Sequence, residues 1–91
     1  ESQVFYSFKF YYSNGTTRKS AGKATKPEAL YNDFDGLMDW DEFDKLNDKT
    51  MDSTEKVLMI AKDIFKKQEK NLTRIEIVEV ETEKIVDFIE I

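Results

Sequence analysis

From Val4 to Tyr12 apolar and aromatic side chains recur at every second position, and an Asn-Gly pair follows at once. Few local structures accept that pattern. Val4, Tyr6, Phe8, Phe10 and Tyr12 alternate with Phe5, Ser7, Lys9 and Tyr11. A period of two rich in aromatics is the pattern of a β-strand. Asn14-Gly15 accepts the positive φ angles of a type I′ turn, so the strand is expected to double back over Ser13–Thr16. The return strand, about Thr16 to Ala21, is short and polar. Arg18 and Lys19 mark it as an edge guarded against further pairing. Aromatics fall on both faces of the first strand, so cover on both sides is expected.

Gly22 breaks this hairpin. Thr25-Lys26-Pro27-Glu28 then predicts a helix start, with Thr25 as cap, Pro27 in the first turn and Glu28 reaching back. Leu30, Phe34 and Leu37 form an apolar stripe at helical spacing. Gly36 weakens or ends that helix, and Trp40, Phe43 and Leu46 suggest a short second one. Asn47-Asp48-Lys49-Thr50 reads as a polar break. Asp52-Ser53-Thr54-Glu55 opens the clearest helix, expected over 52–70, with Asp52 or Ser53 as its cap. Val57, Ile60, Ala61 and Ile64 line one face, with Leu58 and Phe65 beside them. Lys62, Lys66, Lys67 and Lys70 come late, where they complement the helix dipole.

Arg74 to Glu81 reads as a third strand. Ile75 and Ile77 share one face while Val78 and Val80 share the other, which predicts a bulge or a strand buried on both sides. Glu81-Thr82-Glu83-Lys84 is a turn, and Ile85 to Ile91 a last strand. The fold class expected is α+β: an antiparallel sheet of two hairpins in the order β-β-α-α-β-β. One long helix and a shorter helical segment pack on one face.

Ninety-one residues suggest a single domain, 1–91. A hydrophobic content of 40% is enough for a core. Cysteine and histidine are absent. Thiolate metal sites, disulfides, the usual general base and the commonest transition-metal ligand go with them. No phosphate loop, nucleophile elbow or zinc spacing occurs. The expectation is a non-enzymatic protein that needs no cofactor. No apolar run is long enough to cross a membrane, and no membrane partner is expected. A cytoplasmic location is expected, with secretion kept open because the chain starts at Glu1 rather than Met. Size and composition are similar to those of the small proteins that phages and mobile elements of bacteria carry.

Charge then singles out one region. The chain carries a net −5, with +3 over residues 1–28, −7 over 29–55 and −1 over 56–91. Within Tyr31–Asp44 the sequence is YNDFDGLMDWDEFD. One reading is a solvated helix face, with Leu30, Phe34, Leu37 and Met38 in the core and the acids outside, balanced by Lys19, Lys23 and Lys26 across the fold. A second reading is a contact surface for a basic partner protein, carried by Asp35, Asp39, Trp40, Asp41 and Asp44, with Tyr31 as a further exposed anchor. Trp and Tyr are favoured anchors at interfaces, and complementary charge speeds association.

The same stretch resembles the calcium-binding loop of the EF-hand family over 13 residues. Asp33, Asp35, Gly36, Met38, Asp39 and Glu42 fall at the third, fifth, sixth, eighth, ninth and twelfth positions, and Phe43 follows. The resemblance implies divalent-cation binding by Asp33, Asp35, Asp39 and Glu42. Tyr31 stands at the first position, where that family carries Asp. Nucleic-acid binding is a further alternative, with the aromatic hairpin as a stacking platform beside Lys9, Arg18 and Lys19. The net charge of −5 argues against it. The last strand, Ile85–Ile91, offers an edge through which copies of the chain can pair.

Overall fold

The computed structural model describes residues 3–46 and 51–91. The polar break at Asn47–Thr50 lies outside them. Four strands form one antiparallel sheet: β1 (Tyr6–Tyr12), β2 (Thr17–Lys19), β3 (Leu72–Glu79) and β4 (Ile85–Glu90), in the order β2-β1-β3-β4. Between the hairpins lie a 3-10 helix (Pro27–Phe34), a five-residue helix α1 (Trp40–Asp44) and the long helix α2 (Thr54–Gln68). The α+β class and the order β-β-α-α-β-β are those the sequence pattern implies.

The first hairpin forms where expected, but its turn is not type I′: Asn14 does not take a positive φ, and the Gly15 N–H bonds the Tyr12 carbonyl at 3.0 Å. Gly15 has φ 87° in the turn, and Asn14 Oδ1 accepts bonds from the Thr16 N–H and hydroxyl at 3.1 and 2.7 Å. Pairing of β1 with β3 joins the two hairpins at the centre of the sheet, with Phe8 opposite Ile77 and Phe10 opposite Ile75. These four side chains point to the helical side and are fully buried. Phe65 of α2 and Phe34 complete the centre, with Phe10–Phe65 at 4.9 Å and Phe8–Phe34 at 5.9 Å between ring centroids.

Helix α2 is shorter than the expected 52–70. Ser53 is its cap, accepting from the Lys56 N–H at 3.3 Å, while Asp52 pairs with the Lys56 ammonium at 2.8 Å. Its buried stripe runs through Val57, Leu58, Ala61 and Phe65, and Ile60 and Ile64 are only half-buried. The expected stripe is thus rotated toward Leu58 and Phe65, because the phenylalanine cluster on β1 draws that edge of the helix inward.

The first helical segment departs from expectation. Lys26, not Thr25, holds the cap position, and no side chain caps it. The Ala29 N–H bonds the Lys26 carbonyl at 3.0 Å, so the segment winds at three residues per turn. That winding buries Leu30, Tyr31 and Phe34 and ends before Leu37, which stays 39% exposed instead of joining the core.

Strand β3 is buried on both faces, with a register shift against β4 between Ile77 and Val78. Ile75 and Ile77 face the helices, while Glu76 and Val78 are buried on the other side. No helix among the described residues covers that second face. Its own side chains shield it, and Glu83 in the β3–β4 turn, at φ 60°, reaches over Lys19 at 3.0 Å and Lys9 at 3.7 Å.

Candidate functional site

After Phe34 the chain leaves the core through a turn and enters α1. The Phe43 N–H bonds the Asp39 carbonyl at 2.9 Å, which starts this short helix directly at Trp40. No α1 residue is fully buried. The segment is anchored by its half-buried apolar residues, Met38, Phe43 and Leu46, which pack against the core. Phe43 lies 6.1 Å from the Tyr31 ring and 6.2 Å from the Trp40 ring, between centroids. The indole is therefore held from beneath by Phe43, yet remains 68% exposed.

Asp39, Asp41, Glu42 and Asp44 flank it in sequence, all exposed, and Asp35 is exposed in the preceding turn. The five expected contact residues, Asp35, Asp39, Trp40, Asp41 and Asp44, are thus all solvent-facing on one short segment. Tyr31 is not part of that surface. It is buried, because the 3-10 winding turns it inward against Phe43. The expected counterweight also changes, since Lys19 is paired with Glu83.

Asp33 is separate from the other acids. It lies half-buried at the end of the 3-10 helix, where the Ser20 hydroxyl donates to its Oδ2 at 3.4 Å. Its carboxylate occupies the space a Cβ on Gly22 would need, so Gly22 allows a close approach. Burial pushes the Asp33 carboxyl above its ordinary 3.8, against the smaller opposing effect of the Ser20 bond. The native state then binds the proton more tightly than the unfolded chain. The contribution of this group to stability therefore falls as pH rises from 3.8 through the native value. Asp33→Asn is expected to raise the melting temperature at pH 7, with the gain vanishing below the unfolded value. A lower melting temperature at pH 7 would refute this account.

The EF-like quartet is not assembled. Asp33 sits inside helical backbone rather than a loop, and among the described residues no three acidic side chains gather in a way that could hold a metal ion. The aromatics of the first hairpin are divided between the two faces of the sheet. Phe8 and Phe10 are core residues, and the Tyr12 hydroxyl donates to Glu69 at 2.6 Å while accepting from the Arg18 guanidinium at 3.1 Å. Burial and the Glu69 bond hold the Tyr12 phenol above its usual range.

Sequence reasoning missed a polar network on the helix-free face of the sheet. The Tyr11 hydroxyl donates to Glu76 Oε1 at 2.7 Å, and Arg74 donates to Glu76 Oε2 at 2.8 Å and to Glu90 at 3.0 Å. The Arg74 guanidinium also lies 3.9 Å from the centroid of the Phe88 ring. The available signal was Glu76 itself, an acid at an interior position of a two-sided strand. No helix among the described residues is long and apolar enough to cross a membrane. Comparisons with protein-family models, curated proteins and solved structures find no match to this chain.

Proposed function

We propose that the protein is a non-catalytic interaction module that contacts a basic protein partner through the surface formed by Asp35, Asp39, Trp40, Asp41 and Asp44. The observation that carries this reading is the indole of Trp40, 68% exposed on a short helix whose acids, Asp41, Glu42 and Asp44, are all exposed as well. A large apolar ring left in water is stabilised when a partner covers it, and tryptophan is enriched among residues that dominate binding energy. The neighbouring carboxylates select a partner with Lys or Arg at matching positions and speed encounter at low salt. The grooves on the surface do not suggest catalysis. The one beside α1, between Leu37, Met38, Ile60 and Ile64, has its acids, Glu42 and Asp63, exposed at the rim.

Affinity capture with the native chain and with the double variant Asp39→Lys/Asp41→Lys tests the reading. The variant is expected to lose its principal partner while keeping its circular dichroism spectrum and melting temperature. Retention by the wild type is expected to weaken with rising salt. An unchanged partner list in the variant would overturn the proposal.

A further inference from the structure

The two edges of the sheet are unlike. Strand β2 is three residues long, and its exposed edge carries Arg18 and Lys19. Strand β4 is six residues long and lacks any basic guard within Ile85–Glu90. Nine large apolar side chains are exposed among the described residues, and five of them, Met59, Ile85, Val86, Phe88 and Ile91, border this edge. They lie on both sides of the strand: Ile85 and Phe88 stand opposite Val78 and Glu76 on the helix-free face, and Met59 belongs to α2 on the other.

Among the described residues no strand pairs with the outer side of β4. The Ile91 N–H bonds the Thr73 carbonyl at 3.0 Å, which sets the odd-numbered residues Ile89 and Ile91 toward β3. Phe88 and Glu90 consequently direct their backbone groups away from the sheet. Beside them a groove of about 500 Å³ runs between α2 and β4, lined by Glu55, Leu58, Met59, Asp87, Phe88 and Ile89. Its floor is apolar and its only charged lining residues are acidic. Asp87 is held in place by the Thr54 hydroxyl, which donates to Oδ2 at 2.7 Å, while Oδ1 accepts from the Phe88 N–H at 2.8 Å.

We infer that the β4 edge and the α2–β4 groove receive an extended segment of a partner protein as a fifth strand, with apolar side chains alternating with basic ones. Main-chain bonds to Phe88 and Glu90 supply affinity, and one row of side chains enters the groove against Met59 and Ile89. Successive side chains of a strand point to opposite faces, so the row in the groove is the basic one: its stems lie along Met59 and Ile89 and its charges reach Glu55 and Asp87, while the apolar row covers Ile85 and Phe88 on the helix-free face. The incoming carbonyl takes over the Phe88 N–H from Asp87, which keeps its bond to Thr54. A second copy of β4 fits less well, because it brings Asp87 and Glu90 to a groove that already has no base.

The probe is a blocked peptide alternating valine and lysine, matched in length to β4, titrated into isotope-labelled protein. Its amide shifts are expected to concentrate on β4 and α2, and the Phe88 and Glu90 amides to gain protection from hydrogen exchange. Met59→Ser, a change at a side chain 55% exposed, is expected to weaken binding roughly tenfold without altering the melt. Leu37→Ser, at an exposed side chain outside both proposed surfaces, is expected to leave binding unchanged. Equal binding of a valine–glutamate peptide, or of a peptide methylated at alternate amide nitrogens, would overturn the inference. So would shifts confined to α1, or a concentration-dependent dimer of the protein alone that protects the same amides.

Discussion

Phe8→Ala is expected to remove most of the stability of this domain. The side chain is fully buried at the centre of β1, with Phe10, Phe34 and Phe65 at 6.1, 5.9 and 6.5 Å between ring centroids. Truncating a buried phenylalanine costs about 3–5 kcal/mol, from lost burial and from the cavity left behind. Domains of this size hold only about 5–15 kcal/mol in total. Each kcal/mol moves the melting temperature of a small domain by roughly 4–8 °C. A drop of tens of degrees in thermal denaturation is therefore expected. The cavity resists collapse because Phe8 touches three separate elements, the 3-10 helix through Phe34, α2 through Phe65 and its own strand through Phe10. Trp40→Ala is the contrasting case. An indole that is largely in water is expected to contribute within about 0.5 kcal/mol to folding, and its loss is expected to appear in partner capture instead. A small change in Phe8→Ala would mean that the aromatic cluster is not the centre of the core.

The strongest local signals in the sequence correspond to structure. The alternation through Phe8 and Phe10, the Asn14-Gly15 turn and the switch of face after Ile77 all report interactions between near neighbours, or a periodicity imposed by one buried surface. Where the pattern misleads, a distant element decides. The stripe of Leu30, Phe34 and Leu37 assumes 3.6 residues per turn, but the segment winds as a 3-10 helix and releases Leu37 to solvent. Tyr31 changes sides for the same reason. Asp33 looks like one more acid in a run, and only the approach of Ser20 and Gly22 from 11–13 residues away separates it from the rest. Of the candidate site, the exposure of Asp35, Asp39, Trp40, Asp41 and Asp44 follows from their position after the last buried residue of the 3-10 helix, Phe34. The Glu76 network is out of reach of sequence alone, because Tyr11 lies 65 positions from it and Glu90 comes from a third strand.

That network gives the second large effect. Glu76 is 3% exposed, and its carboxylate depends on the Tyr11 hydroxyl and the Arg74 guanidinium. Arg74→Met removes the charged partner and leaves a buried carboxylate with one neutral donor. Breaking a fully buried ion pair costs about 3–5 kcal/mol. Arg74 itself is partly exposed and water can approach its place, so roughly 2–4 kcal/mol is expected here by chemical denaturation. Tyr11→Phe removes a hydrogen bond to a charged group and is expected to cost about 1.5–3 kcal/mol. The double variant Arg74→Met/Glu76→Leu removes both charges at once and is expected to be close to the parent or above it, since well-packed apolar replacements often match buried ion pairs. Arg74→Met/Glu76→Gln, which neutralises the acid without removing its polar atoms, is expected to fall between the two. The order of these variants separates two causes. If the penalty comes from an orphaned charge, removing Glu76 restores what removing Arg74 took away. If Arg74→Met and the double variant are equally destabilised, the loss instead reflects packing of the guanidinium on Phe88 and its bond to Glu90, and the open face is held by Arg74 rather than by the pair.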